Sequence, residues 1–212
     1  MADGPRTDVD PATGRGVVSG SDGALRCGWV GAVGKQHDDY VAYHDHEWAV
    51  PVHGEQALLE RLCLEAFQSG LSWLTILRKR EGFRRAFATF HPETVAAFGP
   101  AEVETLMQDA SIVRNRRKIE ATITNAAATI ALRPRGGLDE AFWASRPDTH
   151  ERPTSLESVP ASTPESAALA KRLKSAGFSF LGPTTMYAAM QACGVVNDHV
   201  SGCFRAAGPH EV

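Results

Sequence analysis

A histidine and a cysteine near the C-terminus stand at a spacing that suits a metal ion. His199 and Cys203 are four residues apart, so on a helix their side chains would share one face, one turn apart. Imidazole nitrogen and thiolate sulfur are both ligands of tetrahedral zinc. A capping or core histidine beside a buried cysteine would give the same spacing, so the zinc interpretation requires further ligands.

Cys27 and His44 are the best candidates for the two remaining ligands, because they flank the first segment whose composition is that of a folded protein. Other potential ligands are His46, His53 and Cys193. A complete set of two cysteines and two histidines has no open coordination position and is typical of structural zinc. We therefore expect one structural Zn²⁺ that joins the N- and C-terminal segments and stabilises the fold by closing a long loop.

A single glutamate interrupts the apolar stripe of a predicted helix. Glu65 follows Leu58 by seven residues and Leu62 by three, so its side chain should point toward the core. A buried carboxylate is unfavourable unless it is paired or hydrogen-bonded. An internal salt bridge is one explanation, and a carboxylate that recognises a ligand is the other. Because a glycine-broken turn then leads to Trp73, the second explanation predicts a pocket for a flat base that is cationic or carries an amino group.

Other aromatic residues lie near the candidate metal ligands. Tyr40 and Tyr43 are three residues apart, beside His44. Buried phenol groups need hydrogen-bond partners, so we expect these two tyrosines to line the pocket. We expect Trp29 and Trp48 to be ordinary core residues.

Two basic runs indicate a local site for a polyanion, although the net charge of the chain is −3. Residues 103–127 read as a helix, a tight turn near Ser111 and a second helix, whose first backbone N–H groups could bind a phosphate. Four basic residues follow this turn: Arg114, Arg116, Arg117 and Lys118. The second run is 78–80. Each run is also typical of a solvated helix face, but together they favour binding of double-stranded DNA, in which phosphate contacts dominate.

The elements that must position these residues are helical. Apolar residues at helical spacing predict helices over 55–69, 72–88, 101–109, 112–132, 138–144, 165–176 and 183–194, and a short helix from Asn197. Ser162 and Glu165 fit a capping box for the sixth of these helices. Period-2 alternation is nearly absent, so the predicted fold class is all-α.

The length of 212 residues suits one domain. Residues 1–24 are predicted to be a disordered tail, 25–204 a helical domain and 205–212 a flexible tail. The sequence has no apolar run of roughly 20 residues and no signal-peptide pattern, so we expect a cytoplasmic protein with no membrane partner. Metal binding or burial explains the four cysteines better than a disulfide framework does.

Five segments, in the same order along the chain, together resemble the 3-methyladenine DNA glycosylase I family. They are Arg26–Val30, Tyr43–Pro51, Leu64–Trp73, Asp109–Ile119 and Met190–Val200. The hairpin of this family usually carries a glycine where this chain has Ser111, which matters if that position needs a positive φ.

The resemblance implies a helix-hairpin-helix DNA glycosylase fold with a structural zinc. The implied zinc ligands are Cys27, His44, His199 and Cys203. The base-recognising and candidate catalytic glutamate would be Glu65, and the pocket aromatics Tyr40, Tyr43 and Trp73. Leu71 would lie near the tip that probes the DNA stack, with Arg114, Arg116 and Lys118 as further DNA contacts. The implied partners are double-stranded alkylated DNA and free 3-methyladenine as product, bound by a monomer.

The resemblance also indicates an unusual mechanism. Many helix-hairpin-helix glycosylases have a catalytic aspartate where this chain has Asn197, and Asp198 would lie about 100° further round a helix. We hypothesise that no side chain acts as a strong base, because 3-methyladenine in DNA is cationic and its glycosidic bond is already weak. Base flipping, stacking and hydrogen bonding through Glu65 would then suffice. No lysine stands at a position to form a Schiff base, so strand cleavage is not expected.

Two other functions remain open from the sequence. A non-enzymatic, zinc-stabilised DNA-binding module would bind DNA without affinity for the free base, and the pocket features around Glu65 argue against it. A zinc hydrolase would use His44 and His199 at an open metal site, and a closed set of four ligands argues against that.

Overall fold

The computed structural model describes residues 16–31 and 35–206, and this part of the chain is mostly helical. Its helices are α1 Asp38–His46, α2 Glu55–Gln68, α3 Trp73–Ala86, α4 Pro92–Ala96, α5 Pro100–Gln108, α6 Arg116–Leu132, α7 Gly137–Trp143, α8 Pro164–Ser175 and α9 Pro183–Ala192. Short 3₁₀ turns occur at Gly28–Val30, Ala88–Phe90, Arg133–Arg135 and Leu156–Ser158. Among the described residues, no helix is both long and apolar enough to cross a membrane.

A small β-hairpin precedes the helices. Strands β1 Val17–Ser19 and β2 Leu25–Cys27 pair antiparallel, with Val17 opposite Cys27. Residues 16–24 therefore differ from the disordered tail predicted for 1–24, whereas residues 1–15 lie outside the described part. Composition does not reveal strands of three residues, because they contain too few apolar positions. Residues 205 and 206 of the predicted C-terminal tail form a turn, and 207–212 also lie outside the described part.

Helix α2 forms the centre of the core. Its side chains from Leu62 to Phe67 are all buried, and α2 packs against α3, α6, α7 and α9. The Phe67 ring lies 4.5 Å from that of Phe83. Because α2 is surrounded on several sides, its buried surface is broader than the single apolar stripe visible in the sequence. This central position places Glu65 inside the molecule.

The seven helices whose bounds were predicted agree with the structure to within a few residues. Helix α1, which carries Tyr40, Tyr43 and His44, was not predicted from the sequence. Three further differences are informative. The capping box of α8 uses Thr163 and Ser166, and the predicted pair Ser162 and Glu165 is wrong by one residue because Pro164 occupies the first helical position. The turn between α5 and α6 spans 109–115 and is not a tight turn at 110–111. No helix begins at Asn197, where the chain is irregular.

The hairpin and the C-terminal segment form a second, smaller apolar cluster. It contains Val17, Cys27, Val200 and Cys203, with Trp29 and Trp48 packed against it. The Phe204 N–H donates to the Leu25 carbonyl at 2.8 Å. The two ends of the described chain therefore meet beside α1.

Candidate functional site

Four buried side chains meet where the two ends of the chain meet. The ligand atoms of Cys27, His44, His199 and Cys203 all lie within 4.8 Å of one another. His199 Nδ1 is 3.5 Å from both sulfur atoms, and His44 Nε2 is 3.4 Å from Cys203 Sγ. The structure thus brings together the four residues that the sequence nominated, and His46, His53 and Cys193 lie outside the cluster.

A turn, and not the predicted helix, brings the side chains of His199 and Cys203 together. The Asn197 side chain accepts a hydrogen bond from His199 N–H at 3.1 Å. Cys203 N–H donates to the Val200 carbonyl at 3.0 Å, and Gly202 adopts a φ of 94°. A left-handed residue of this kind reverses the chain, so both side chains point into the cluster.

A second layer of polar contacts fixes the two histidine rings. His44 Nδ1 lies 2.8 Å from the Asp45 carboxylate, which accepts two further bonds from Arg26 at 2.9 and 2.7 Å. His199 Nε2 lies 3.4 Å from the Trp48 carbonyl. These partners leave Nε2 of His44 and Nδ1 of His199 facing the cluster, which is the usual way in which outer groups orient metal-binding histidines.

A pocket of about 180 Å³ lies beside the cluster. That volume is below the roughly 300 Å³ at which pockets for drug-sized molecules begin, so the pocket suits a small, flat ligand. Helices α1, α2, α3 and α9 all contribute to it. Its lining residues are Trp29, Tyr40, Tyr43, Trp48, Glu65, Gln68, Trp73, Ala188 and Gln191.

Two tryptophans of the pocket wall, Trp29 and Trp48, also pack against the histidines of the Cys/His cluster. Trp29 packs on Tyr40 and on His44, with ring centroids 4.9 and 5.1 Å apart. Trp48 packs on His199 at 4.6 Å. The prediction that Trp29 and Trp48 are ordinary core residues is therefore only partly right, because both pack against the smaller apolar cluster and also line the pocket. Their proximity in sequence to Cys27 and His44 was the signal that could have indicated a shared wall.

Glu65 is 6% exposed and faces this pocket. No described residue donates a hydrogen bond to its carboxylate, so the salt-bridge explanation does not hold. Burial raises the pKa of Glu65 to about 8, and the positive charge of Arg61 opposes that rise. At neutral pH the free protein therefore holds a protonated carboxyl group that lacks a protein partner.

The two tyrosines complete the polar surface of the pocket. Burial, with a smaller contribution from the charge of Glu65, raises the pKa of Tyr40 and Tyr43. Tyr43 also packs on Trp73, with ring centroids 5.4 Å apart. The indole N–H of Trp73 is buried and has no partner among the described residues. The pocket thus combines aromatic faces with the polar groups of Tyr40, Tyr43 and Glu65.

The loop after α2, residues 69–72, is here called the probe loop. Gly70 adopts a φ of 85°, and Gln68 Nε2 donates to the Leu71 carbonyl at 2.9 Å. The Leu71 side chain is 40% exposed, although it is large and apolar. This conformation holds an apolar side chain at the surface directly beside the pocket.

Lys118 supports the probe loop and is not a surface residue. It is 8% exposed, and its ammonium donates to the carbonyls of Phe67 and Ser69 at 2.9 and 2.7 Å. The last carbonyls of a helix lack partners within the helix, and Lys118 satisfies that of Phe67 in α2 and that of Ser69 just after it. The prediction of Lys118 as a DNA contact is contradicted by this burial.

The other basic residues lie at the start of α6, on the outside. Arg114, Arg116 and Arg117 are exposed. Arg116 pairs with Glu104 at 2.8 Å, and the Arg117 guanidinium lies 5.5 Å from the Phe180 ring. Phe180 is 41% exposed and was not singled out from the sequence. Lys118, in the first turn of α6, touches Ser69 of the probe loop, and Arg117 touches Phe180. The start of α6 with its arginines, Leu71 and Phe180 are therefore neighbours, and we call them the basic face.

Ser111 does not require a glycine. Its φ is not positive, so the departure from the family pattern places no strain on the backbone. The close approach occurs instead at Gly82 of α3, where an added Cβ would lie 2.5 Å from the Ser111 carbonyl oxygen.

Neither residue at the position of the usual catalytic aspartate faces the pocket. The Asn197 side-chain oxygen is bound to His199 N–H. The Asp198 carboxylate is buried and accepts hydrogen bonds from His150, Tyr187 and Gln191, each at 2.7 Å. Three donors at this distance leave the carboxylate little capacity to accept a proton from water.

Comparison with known proteins gives consistent matches. A family model described as methyladenine glycosylase matches residues 33–206. DNA-3-methyladenine glycosylase 1 of Escherichia coli (strain K12) is 47% identical over 182 residues, which are 84% of this chain and 95% of that protein. A crystal structure of 3-methyladenine DNA glycosylase I (TAG) superposes with a TM-score of 0.80 at 46% identity, covering 84% of this chain and 98% of the other. A second structure, from work on how the Staphylococcus aureus 3-methyladenine DNA glycosylase I (TAG) recognises 3-methyladenine, superposes with a TM-score of 0.76 at 32% identity. The match covers 80% of this chain and 92% of the other.

Proposed function

The chain belongs to the methyladenine glycosylase family, and from this premise we propose that it hydrolyses the N-glycosidic bond of 3-methyladenine in alkylated DNA. One observation carries the proposal. A buried glutamate without a protein partner lies in a pocket walled by five aromatic residues, next to an exposed leucine. This combination suits an enzyme of base-excision repair that accepts a flipped base.

Recognition of the base uses the aromatic faces of the pocket and its buried carboxyl group. The rings of Tyr40, Tyr43 and Trp73 offer faces on which a flat base stacks, and a cationic base is attracted to such faces. Glu65 offers a carboxyl group to the polar edge of the base. When a cationic base enters, its charge favours the ionised form of Glu65, so the attraction grows as the proton leaves.

In the proposed mechanism, catalysis comes from selective binding of the damaged base and does not need a side chain that acts as a strong base. The glycosidic bond of a cationic base is weakened before binding, and interactions that increase as the bond breaks lower the barrier. Asp198 already accepts hydrogen bonds from three donors, and Asn197 carries no negative charge. We expect a monofunctional glycosylase that releases the base and leaves the DNA backbone intact.

We propose that Cys27, His44, His199 and Cys203 hold one structural Zn²⁺. Bond lengths of 2.3 Å to sulfur and about 2.05 Å to nitrogen place sulfur and nitrogen ligands about 3.6 Å apart in a tetrahedron. Three of the four sulfur–nitrogen distances are 3.4–3.5 Å and fit this value. Two buried cysteines and two oriented histidines form a complete set of four ligands, so the ion would join β2, α1 and the C-terminal turn without taking part in the reaction.

We propose that the basic face binds duplex DNA, with the protein acting as a monomer. Leu71 would enter the space that the flipped base vacates, and Arg114 and Arg116 would contact phosphates. The adjacency of these loops to the pocket supports this arrangement. Phe180 adds a second exposed apolar side chain to the same face.

Release of bases from methylated duplex DNA tests the proposed function directly. The freed bases are separated by chromatography, and the DNA is examined for strand breaks on a denaturing gel. We expect 3-methyladenine to be released well above the rate without protein, and no breaks before alkaline treatment. Binding of the DNA without base release would favour the non-enzymatic module, and loss of release on chelation with the fold intact would favour the zinc hydrolase.

A further inference from the structure

The carboxylate of Asp198 organises a buried network at the back of the pocket. Its side chain is 1% exposed. Tyr187 O–H and Gln191 Nε2 both donate to Oδ2, and His150 Nε2 donates to Oδ1, each at 2.7 Å. Hydrogen bonds to a carboxylate are strong because one partner is charged. The network therefore fixes the orientation of its donors.

Gln191 is the member of this network that lines the pocket. A carboxylate can only accept, so the amide group of Gln191 must turn its NH₂ toward Asp198. The amide oxygen, Oε1, is left without a donor among the described residues, and it is not sealed from solvent. Gln191 thus carries an acceptor whose orientation is fixed, on a side chain of the pocket wall.

We propose that Gln191 is a specificity-determining residue, and that its Oε1 accepts a hydrogen bond from an exocyclic amino group of the bound base. Asp198 is then a positioning residue, because it acts on the base only through Gln191. The proposal rests on the proposed function and adds to it a reason for preferring 6-amino over 6-oxo purines.

The discrimination follows from the fixed direction of the amide group. A free glutamine could rotate and offer its NH₂ to an oxo group, but this rotation would place Oε1 against the Asp198 carboxylate. A base with an oxygen at that position would therefore meet an acceptor and leave both groups without a hydrogen bond. Sites built in this way reject the wrong group strongly, because unpaired polar atoms are buried.

The experiment compares two free bases, 3-methyladenine and 3-methylhypoxanthine, in which an oxygen replaces the amino group. Dissociation constants are measured by quenching of tryptophan fluorescence, since three tryptophans line the pocket. The variants are Gln191→Leu and Asp198→Asn. The matched control is Gln56→Leu, the same change at an exposed glutamine outside the pocket.

The wild type and Gln56→Leu should prefer 3-methyladenine. Gln191→Leu should weaken binding of 3-methyladenine by roughly 10-fold. It should leave binding of 3-methylhypoxanthine unchanged or make it tighter, because the opposing acceptor is gone. Asp198→Asn, checked for an unaltered metal content, should also reduce the preference, because an asparagine amide can donate to Oε1 and let the glutamine turn round.

A fall of both affinities by the same factor would show a structural role only and would overturn the proposal. An unchanged ratio in both variants would also overturn it. Suppose that the wild type releases 3-methyladenine from DNA while neither variant changes the ratio of the two dissociation constants. In that case only the assignment of Gln191 fails. If the wild type neither binds nor releases 3-methyladenine, the proposed function fails, and the assignment fails with it.

Discussion

Glu65 lowers the stability of the folded protein at neutral pH, although the proposed activity requires it. Burial without a hydrogen-bond partner raises its pKa from the ordinary value of 4.5 to about 8. A carboxyl group whose pKa is higher in the folded than in the unfolded state favours folding fully below pH 4.5, and this contribution is lost as the pH rises toward 8. At neutral pH the unfolded chain gains from ionising Glu65, whereas the folded chain does not.

Glu65→Gln should therefore stabilise the free protein, and more so at high pH. Each pKa unit corresponds to about 1.4 kcal/mol, so the variant should exceed the wild type in free energy of unfolding by about 2–4 kcal/mol at pH 8. The difference should be under about 1 kcal/mol at pH 5. Denaturant titrations at the two pH values measure it, and equal differences at both would show that Glu65 is not destabilised by burial.

The sequence identifies Glu65 as a candidate functional residue, because a charged residue on the apolar stripe of a helix stands out from its pattern. Lys118 shows the limit of such reasoning, since a lysine within a basic run looks like its neighbours. Only the packing of α6 against the end of α2 turns Lys118 inward. Trp29 and Trp48 show a similar limit, because a sequence does not distinguish the wall of a pocket from the core behind it.

At the scale of elements, the junction of α2, the probe loop and α6 links the pocket to the surface. Glu65 lies on α2, Leu71 lies on the loop that follows, and Lys118 of α6 binds the carbonyls between them. The position of Leu71 relative to the pocket therefore depends on Lys118.

Lys118→Met should impair the reaction on DNA but not binding of the free base. The variant leaves two carbonyls without their charged donor, which should reduce the free energy of unfolding by about 2–3 kcal/mol. It should lower kcat/KM for methylated DNA, because Leu71 is no longer held, and leave the Kd for free 3-methyladenine nearly unchanged. Wild-type values for both DNA excision and stability would show that Lys118 does not support the loop.

Helices were predictable here because their periodicity extends over many residues. The β1–β2 hairpin was not, since its pairing is stabilised by contact with the C-terminal segment and its strands are only three residues long. The helix expected from Asn197 was wrong for a related reason. Side-chain capping by Asn197 and the left-handed Gly202 favour a turn, and that turn delivers the same two ligands as a helix would.

At the scale of the whole molecule, the proposed zinc would close the chain on itself. Its ligands on β2 and α1 are separated from those on the C-terminal turn by more than 150 residues. A link across so long a loop restricts the unfolded chain strongly, and a metal that binds only the folded state adds its binding free energy to stability.

Cys203→Ser should remove the metal and destabilise the fold. We expect one equivalent of zinc in the purified wild type, and a loss of at least about 3 kcal/mol of unfolding free energy in the variant. Cys63→Ala is the matched control, because Cys63 is buried in the main core and should retain the zinc. Elemental analysis with thermal unfolding measures both quantities. A metal-free wild type whose melting is unaffected by chelators would contradict the assignment.

Trp29 and Trp48 line the pocket and pack on the histidines of the Cys/His cluster, so the two sites share one wall. In the proposed mechanism the chemistry depends on one buried carboxyl group, that of Glu65, which captures an already labile base. No other carboxylate of α2 lines the pocket.

Single-turnover excision of 3-methyladenine from methylated duplex DNA tests this claim most directly. The comparison is Glu65→Gln against Glu60→Gln, a change on the same helix at a glutamate that pairs with Arg84 outside the pocket. Glu65→Gln should lower the rate about 100-fold or more, and Glu60→Gln should stay within about 3-fold of the wild type. Excision by Glu65→Gln at the wild-type rate would contradict the account.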